Sequence, residues 1–99
     1  MNFRALFPLV DFADEFTFEN CNSNEDFIQE IVKIYFTHHD RRVKEATLAV
    51  YMAYRDHYPK YLNSLTSEEV SKLNSALKTA TSKIIKLRRI ALSAISKIS

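Results

Sequence analysis

Three histidines and one aspartate are the side chains of this sequence that are best suited to holding a metal ion. His38, His39 and Asp40 are consecutive, and His57 follows later in the chain. Neighbouring residues of a helix project about 100° apart, so His38 and His39 do not share one helix face. Neither a His-Glu-x-x-His motif nor a Cys/His pattern with zinc spacing is present. We therefore expect no metal site and no cofactor.

The acidic residues and the single cysteine do not form a recognisable catalytic arrangement. Asp11, Asp14 and Glu15 are close in sequence, and paired carboxylates perform general acid–base chemistry when one of them is buried. On an amphipathic helix such residues more often form the solvated face. Cys21 has no neighbouring cation in the sequence that would favour its thiolate. We expect a protein that is not an enzyme.

Glycine is absent from the 99 residues, whereas average usage would give about seven. Phosphate-binding loops, dinucleotide-binding turns and nucleophile elbows need glycine where the backbone takes a positive φ or closely approaches a ligand. The tight turns of β-hairpins also favour Asn-Gly or Asp-Gly. The composition therefore excludes these three functional motifs and favours an all-α protein.

Basic residues alternate with tyrosines in the middle of the chain, which makes this segment a secondary candidate for binding. Aromatic rings can stack on nucleic-acid bases while cations contact phosphates. Tyrosines at helical spacing more often bury their rings and place the hydroxyl at the edge of the core, and this interpretation is favoured. The patch comprises Arg41, Arg42, Lys44, Tyr51, Tyr54, Arg55 and Tyr58.

Helical periodicity places the first half of the chain on two helices. Pro8 suits the first position of a short helix over about 8–17, whose phenylalanines are predicted to anchor the core. Ser23 or Asn24 can cap a second helix that runs to about His38. Apolar residues cover more than half of the circumference of this second helix, which predicts a central element packed on more than one side.

The second half of the sequence contains signals for the starts of two further helices. Asp40 is a candidate N-cap for a helix over about 41–58, which Pro59 is expected to end or kink. Thr66 and Glu69 have the spacing of a capping box, which predicts the start of the last helix.

The last helix, predicted over about 67–98, carries the most specific periodic pattern. Apolar residues recur at alternating spacings of three and four through four heptads, as at the a and d positions of a coiled coil. Such a helix would be about 48 Å long, whereas a domain of this size is about 35 Å across. The helix therefore either breaks around residues 79–82 or extends beyond the body. The a/d residues are Val70, Leu73, Leu77, Ala80, Ile84, Leu87, Ala91, Ala94 and Ile98.

The apolar arc of this helix widens from about 120° in its first half to about 220° in its second half, although one packing surface needs only a little over 100°. Ile85, Leu92 and Ile95 on one flank and Ile90 on the other therefore need additional cover. The cover can come from the earlier helices, a second copy, a foreign partner or a membrane surface. We predict that Ile85, Leu92 and Ile95 contribute more to assembly or partner binding than to folding.

Charge is divided between the two ends of the chain. Residues 1–30 carry seven acidic residues and one basic residue, whereas residues 70–99 carry seven basic residues and no acidic one. The two ends can pair with each other, within a chain or across a dimer, or the basic end can contact an acidic partner. Arg88 lies within the apolar arc, where we expect it to meet a carboxylate of the N-terminal region or of a partner. The candidate surface for partner binding or self-association comprises Lys83, Ile85, Lys86, Leu87, Arg88, Arg89, Ile90, Leu92 and Ile95.

Together these patterns predict one all-α domain over residues 1–99, a small bundle of four to five helices with a long C-terminal helix carrying the heptad pattern. We expect a non-catalytic protein–protein interaction module. Small cytosolic inhibitors, immunity proteins and phage- or plasmid-encoded antagonists share this size and class, which is an analogy only. The alternative is a small nucleic-acid-binding regulator that uses the basic C-terminal helix. The isoelectric point of about 8.7 is below the strongly basic values of such domains.

The sequence also favours a location and an assembly state. No window approaches the roughly 18 apolar residues of a membrane span, and acidic residues interrupt the short apolar run at the N-terminus, unlike in a signal peptide. One cysteine cannot form an internal disulfide, which is typical of a reducing compartment. We expect a cytoplasmic protein, located in the host cell if a virus or mobile element encodes it, and a homodimer formed through the C-terminal helix.

Overall fold

The computed structural model describes residues 21–98, and these residues contain helices and no β-strand. The predicted all-α bundle is therefore confirmed. The predicted helix over 8–17 and its phenylalanines lie outside the described residues. The elements are α1 (Asn24–Thr37), α2 (Arg41–His57), a short 3-10 helix (Pro59–Leu62), α3 (Ser67–Leu77) and α4 (Ser82–Ile98).

Local hydrogen bonds explain where the first three α-helices begin. The side chain of Ser23 accepts a backbone N–H of the first turn of α1 at 3.1 Å, and Asp40 does the same for α2 at 2.8 Å. At α3 the capping box is complete, because Thr66 accepts from the backbone of Glu69 at 3.1 Å while Glu69 accepts from the backbone of Thr66 at 2.9 Å. Each bond satisfies an N–H group that has no partner within its helix.

The predicted helix over 67–98 is two helices, with the break close to the expected position. α3 ends at Leu77 and α4 begins at Ser82, although the intervening residues include neither glycine nor proline. The structure measures 30 Å along its longest axis. A continuous helix of about 48 Å would extend well beyond it. The break therefore lets both halves pack against the same body.

Helix α2 is the element on which the other described elements pack, and α1 contacts the 3-10 helix as well as α2. That the helix ending near His38 is central stays a prediction, because residues 1–20 lie outside the described part of the chain. α1 and α4 both pack along α2, and α3 and the 3-10 helix contact it as well. Nine residues of α2 are buried, compared with six of α1. Ala46, Ala49 and Ala53 are all fully buried. Such small side chains allow neighbouring helices to approach closely, because interaxial distance depends on the side chains at the contact.

Polar contacts at both ends of the pair show that α1 runs antiparallel to α2. Near the start of α2, the Nζ of Lys44 donates to the backbone carbonyl of Tyr35 at 2.6 Å. Near the end of α2, the hydroxyl of Tyr54 donates to the Oδ1 of Asn24 at 2.8 Å. The first residues of α1 therefore lie beside the last turn of α2.

Helix α4 runs parallel to α2. The Nζ of Lys83 lies 3.7 Å from the Oε1 of Glu45, and the hydroxyl of Tyr58 lies 3.2 Å from that of Ser96. From the first contact to the second, the residue number rises by 13 on the α2 side and by 13 on the α4 side. The two helices therefore run in the same direction. α4 is thus held to α2 near both of its ends.

The buried face of α4 shares Ile84 and Ala91 with the predicted heptad seam but also includes Ile95. Ile84, Ala91 and Ile95 are buried, whereas the a/d residue Leu87 is half-buried. The assignment of Ile95 to a flank that faces a partner is wrong, because this side chain has no exposed surface. On a straight helix Ile95 lies only about 20° around the axis from Ile84, because eleven steps of 100° exceed three full turns by that angle, so both side chains face the core.

We expect the two flank isoleucines to differ strongly in their contribution to folding. Ile95→Ala should lower the free energy of unfolding by about 2–5 kcal/mol, because it leaves a cavity in the core. Ile85, which is 38% exposed, should change stability by only about 0.5 kcal/mol when replaced by Ser. Urea denaturation of both variants measures the difference. Equal losses would contradict this orientation of α4.

Candidate binding surface on α4

Two of the cations of α4 are engaged by carboxylates of α2. Lys83 lies 3.7 Å from Glu45, whose side chain is largely buried, and the Nη1 of Arg88 donates to the Oδ2 of Asp56 at 3.0 Å. The partner of Arg88 therefore comes from α2, and not from the N-terminal region or a second molecule as the sequence suggested. These cations attach α4 to the bundle.

Three other cations of α4 point away from the bundle. Lys86, Arg89 and Lys97 are exposed, and within residues 21–98 none of them forms an ion pair. Ile90 and Ser93 lie on the same side, because residues three and four apart on a helix are neighbours. We call this set, Lys86, Arg89, Ile90, Ser93 and Lys97, the outer face of α4.

Ile90 is the most exposed large apolar side chain of the described residues, at 49%. Ile85 is also exposed, but it lies about 140° from Ile90 around the helix. Leu87 and Leu92 are half-buried and pack against the core. The predicted flank residues therefore do not form one apolar patch, and the outer face is a basic surface with a single isoleucine.

The two central tyrosines of the secondary patch belong to the core. Tyr51 and Tyr54 are fully buried, and their hydroxyls donate to the Oδ1 atoms of Asn74 and Asn24, each at 2.8 Å. Their assignment to a nucleic-acid-binding patch is therefore wrong, and the interpretation as buried rings with satisfied hydroxyls is confirmed. Burial raises the pKa of both tyrosines above the ordinary value of 10.0.

The remaining members of that patch make contacts within the described residues. Their cations pair with nearby carboxylates or a carbonyl, so this segment stabilises helix starts and helix contacts. The pairs are Arg41 with Glu45, Arg42 with Asp40, Lys44 with the carbonyl of Tyr35, Arg55 with Asp56, and Tyr58 with Ser96.

A polar network joins α2, α3 and α4. Asp56 accepts from the Nε of Arg55 and from the Nη1 of Arg88, both at 3.0 Å. Asn74 of α3 accepts from the Nη1 of Arg55 at 3.3 Å and from the hydroxyl of Tyr51. Asp56 and Asn74 were not identified by sequence reasoning, because their partners in other helices lie 19 to 32 residues away and no local pattern marks them.

The histidines and the cysteine do not form a metal-binding cluster in the described part of the chain. The Nδ1 of His38 accepts the backbone N–H of Asp40 at 3.3 Å, while His39 and His57 are exposed. Within residues 21–98, no three His, Cys, Asp or Glu side chains are placed to hold a metal ion. Desolvation, with the nearby charges of Glu30 and Asp26, raises the pKa of the Cys21 thiol and favours its protonated form.

The helices of the described part are also unsuited to crossing a bilayer. None of those within residues 21–98 combines the necessary length with the necessary apolar content.

Neither family models, nor curated proteins, nor solved structures match this chain.

We expect the Arg88–Asp56 pair to stabilise the attachment of α4 modestly. Both side chains are about a quarter exposed, at 28% and 26%, so solvent screens their attraction. A double-mutant cycle of Asp56→Ala and Arg88→Ala should give a coupling energy of about 0.2–1 kcal/mol, and high salt should reduce it. A coupling of zero at low salt would show that the pair does not hold α4.

We also expect Tyr54 to make the free energy of unfolding decrease at alkaline pH. Desolvation raises the pKa of Tyr54 in the folded state, so tyrosinate forms more readily in the unfolded chain. The stability that this raised pKa gives the folded protein is fully present at a pH below the ordinary pKa of 10.0, and it is lost as the pH rises above that value. Urea denaturation between neutral and alkaline pH should show this loss, and Tyr54→Phe should reduce it.

The same variant should be less stable at neutral pH. Tyr54→Phe leaves the Oδ1 of buried Asn24 without its donor, which costs about 1–3 kcal/mol. Tyr35→Phe is the matched control, because the Tyr35 hydroxyl makes no hydrogen bond to any described residue. An equal cost in both variants would contradict the Tyr54–Asn24 hydrogen bond.

Proposed function

We propose that the protein is a non-catalytic interaction module that binds an acidic surface of a protein partner through the outer face of α4. One observation carries the proposal. Lys86, Arg89 and Lys97 are exposed without an ion pair in the described residues, and they surround Ile90, the large apolar side chain with the greatest exposure there. Binding of this kind would occupy a surface of the target, which is also how small inhibitors and antagonists act.

The outer face is held in a fixed orientation, which favours binding. The opposite side of α4 is anchored by the buried Ile84, Ala91 and Ile95 and by two ion pairs to α2. A partner therefore need not order the backbone of this helix. Binding sites that are ordered beforehand lose less conformational entropy on association.

The chemistry of the outer face favours a protein over a nucleic acid. Ile90 would be desolvated at the centre of the contact while the cations pair at its edge, as in the apolar core and polar rim of protein interfaces. A nucleic acid would satisfy the cations, but Tyr51 and Tyr54, which were candidates for base stacking, are buried. One face of a helix about 26 Å long supports a small, transient type of interface.

We expect charge reversal on the outer face to abolish partner capture. Immobilised protein would be incubated with nuclease-treated lysate of the source organism, and captured proteins would be quantified by mass spectrometry. Lys86→Glu/Arg89→Glu should lose a protein that the wild type retains, and increasing salt should weaken its capture. Lys33→Glu/Lys78→Glu is the matched control, because both lysines are exposed on other parts of the bundle and the charge change is equal.

Two results would contradict the proposal. One is capture of the same proteins, in equal amounts, by both double variants. The other is direct binding to duplex or single-stranded nucleic acid that is lost in Lys86→Glu/Arg89→Glu and falls with salt by about 0.9 log units per phosphate contact. The second result would favour the nucleic-acid regulator instead.

A further inference from the structure

We propose that the protein exchanges α4 with a second copy of itself, forming a domain-swapped dimer in which α3 and α4 join into one continuous helix. Each α4 would occupy, on α2 of the other copy, the position that it occupies on its own α2. This inference does not depend on the proposed function, because the outer face of α4 points away from α2 in both arrangements.

The link between α3 and α4 is close to helical. The backbone N–H groups of Lys78, Thr79 and Ala80 each donate to the carbonyl three residues earlier, at 3.1–3.4 Å. The N–H of Ile85 donates to the carbonyl of Thr81 at 3.2 Å, so the helical hydrogen bonds of α4 begin at the carbonyl of Thr81. No described residue has a positive φ. A change of backbone dihedrals confined to Ala80 and Thr81, the two residues of the link without helical or turn structure, would therefore make the helix continuous.

The apolar pattern of the sequence fits the continuous form. The spacing from Leu73 and Leu77 to Ala80, Ile84 and Leu87 keeps one heptad phase through the link. A permanent helix end commonly carries glycine after the last turn or proline shortly beyond it, and neither is present here. The link instead contains threonines, which a helix tolerates at a modest cost. The local sequence thus permits both arrangements.

The contacts of α4 are suited to exchange because they are made mainly with one element. Among the described elements, α4 packs extensively only on α2. Its polar contacts with Glu45, Asp56 and Tyr58 all join it to α2 or the residue that follows it. Every one of them would form again between two copies with the same geometry, as in other domain-swapped proteins.

A continuous helix would be too long for α4 to remain packed on the bundle of its own chain. A helix over 67–98 spans about 48 Å, whereas the structure is 30 Å along its longest axis. The second half would leave its own body and carry the apolar side chains of Ile84, Ala91 and Ile95 into solvent. A second copy is the occupant that presents the matching carboxylates Glu45 and Asp56 at the correct spacing along a helix.

Protein concentration and the link together set the balance between monomer and dimer. Because the α2–α4 contacts are the same in both, they contribute equally to each form. Association makes the dimer more abundant as concentration rises. Exchange requires α4 to leave α2, so the protein should be unfolded and refolded at high and at low concentration before each measurement.

Two substitutions in the link should change the dimer fraction in opposite directions. Ser82 is the first residue of α4, where proline is well tolerated, but proline would break a continuous helix at the same position. Thr81→Ala removes a side chain that accepts the backbone N–H of Ile84 at 3.4 Å and raises helix propensity. Sedimentation velocity should show no dimer for Ser82→Pro, and Thr81→Ala should lower the dimer dissociation constant about tenfold.

A charge exchange distinguishes this dimer from one that forms through outer faces. Asp56→Lys in one chain and Arg88→Glu in another each place like charges between α2 and α4 of the same chain. In a swapped heterodimer Lys replaces Asp56 opposite the Glu that replaces Arg88, and the other pair is the native one. The two chains, refolded together, should therefore form heterodimers in excess over either homodimer. A dimer that keeps each α4 on its own α2 would give no such excess.

Four results would overturn the inference. Wild type and Thr81→Ala could both remain monomeric after refolding at high concentration. A dimer could persist in Ser82→Pro, or form without preference for the charge-exchanged heterodimer. Finally, Ser82→Pro could fail to give a helical monomer of wild-type stability, which would show that residue 82 is not at the start of a helix.

Discussion

Burial of α2 on more than one side is the constraint on which the rest of the described structure depends. Its alanines at 46, 49 and 53 have no exposed surface, and α1 and α4 pack along it in opposite directions. To bury apolar surface on α2, α4 must lie beside it, and a helix continuing straight from α3 could not do so. The break at residues 78–81 follows from this requirement, and so does the burial of Ile95 against the bundle.

The position of each cation around α4 determines whether it serves folding or remains exposed. Glu45 and Asp56 lie where α2 meets α4, so Lys83 and Arg88 form ion pairs there. Ion pairs of this exposure contribute little free energy individually, but they help to define how α4 is aligned along α2. The cations on the opposite side have no such carboxylate within the described residues. They give the outer face a positive charge beside an exposed isoleucine.

The proposed partner binding and the proposed exchange of α4 use opposite sides of the same helix. Exchange would leave the outer face of α4 free, and a swapped dimer would present two such faces. A target with repeated acidic sites would then bind with greater avidity than a monomer allows, provided that the spacing of its sites matches that of the two faces. Assembly could in this way strengthen binding without adding a contact to either interface.

The sequence by itself determined the features that depend on neighbouring residues. Ser23 and Thr66 mark helix starts because a side chain bonds to a backbone N–H three residues away, and the length of residues 67–98 requires a break or an overhang. Only the tertiary structure decided which side of α4 is buried and that Asp56 is the partner of Arg88, 32 residues later. The heptad pattern placed Ile95 on a surplus flank because a repeat of 3.5 residues drifts by about 20° per heptad around a straight helix. Packing against α2 decides which side of α4 is buried, and no local pattern of residues encodes that choice.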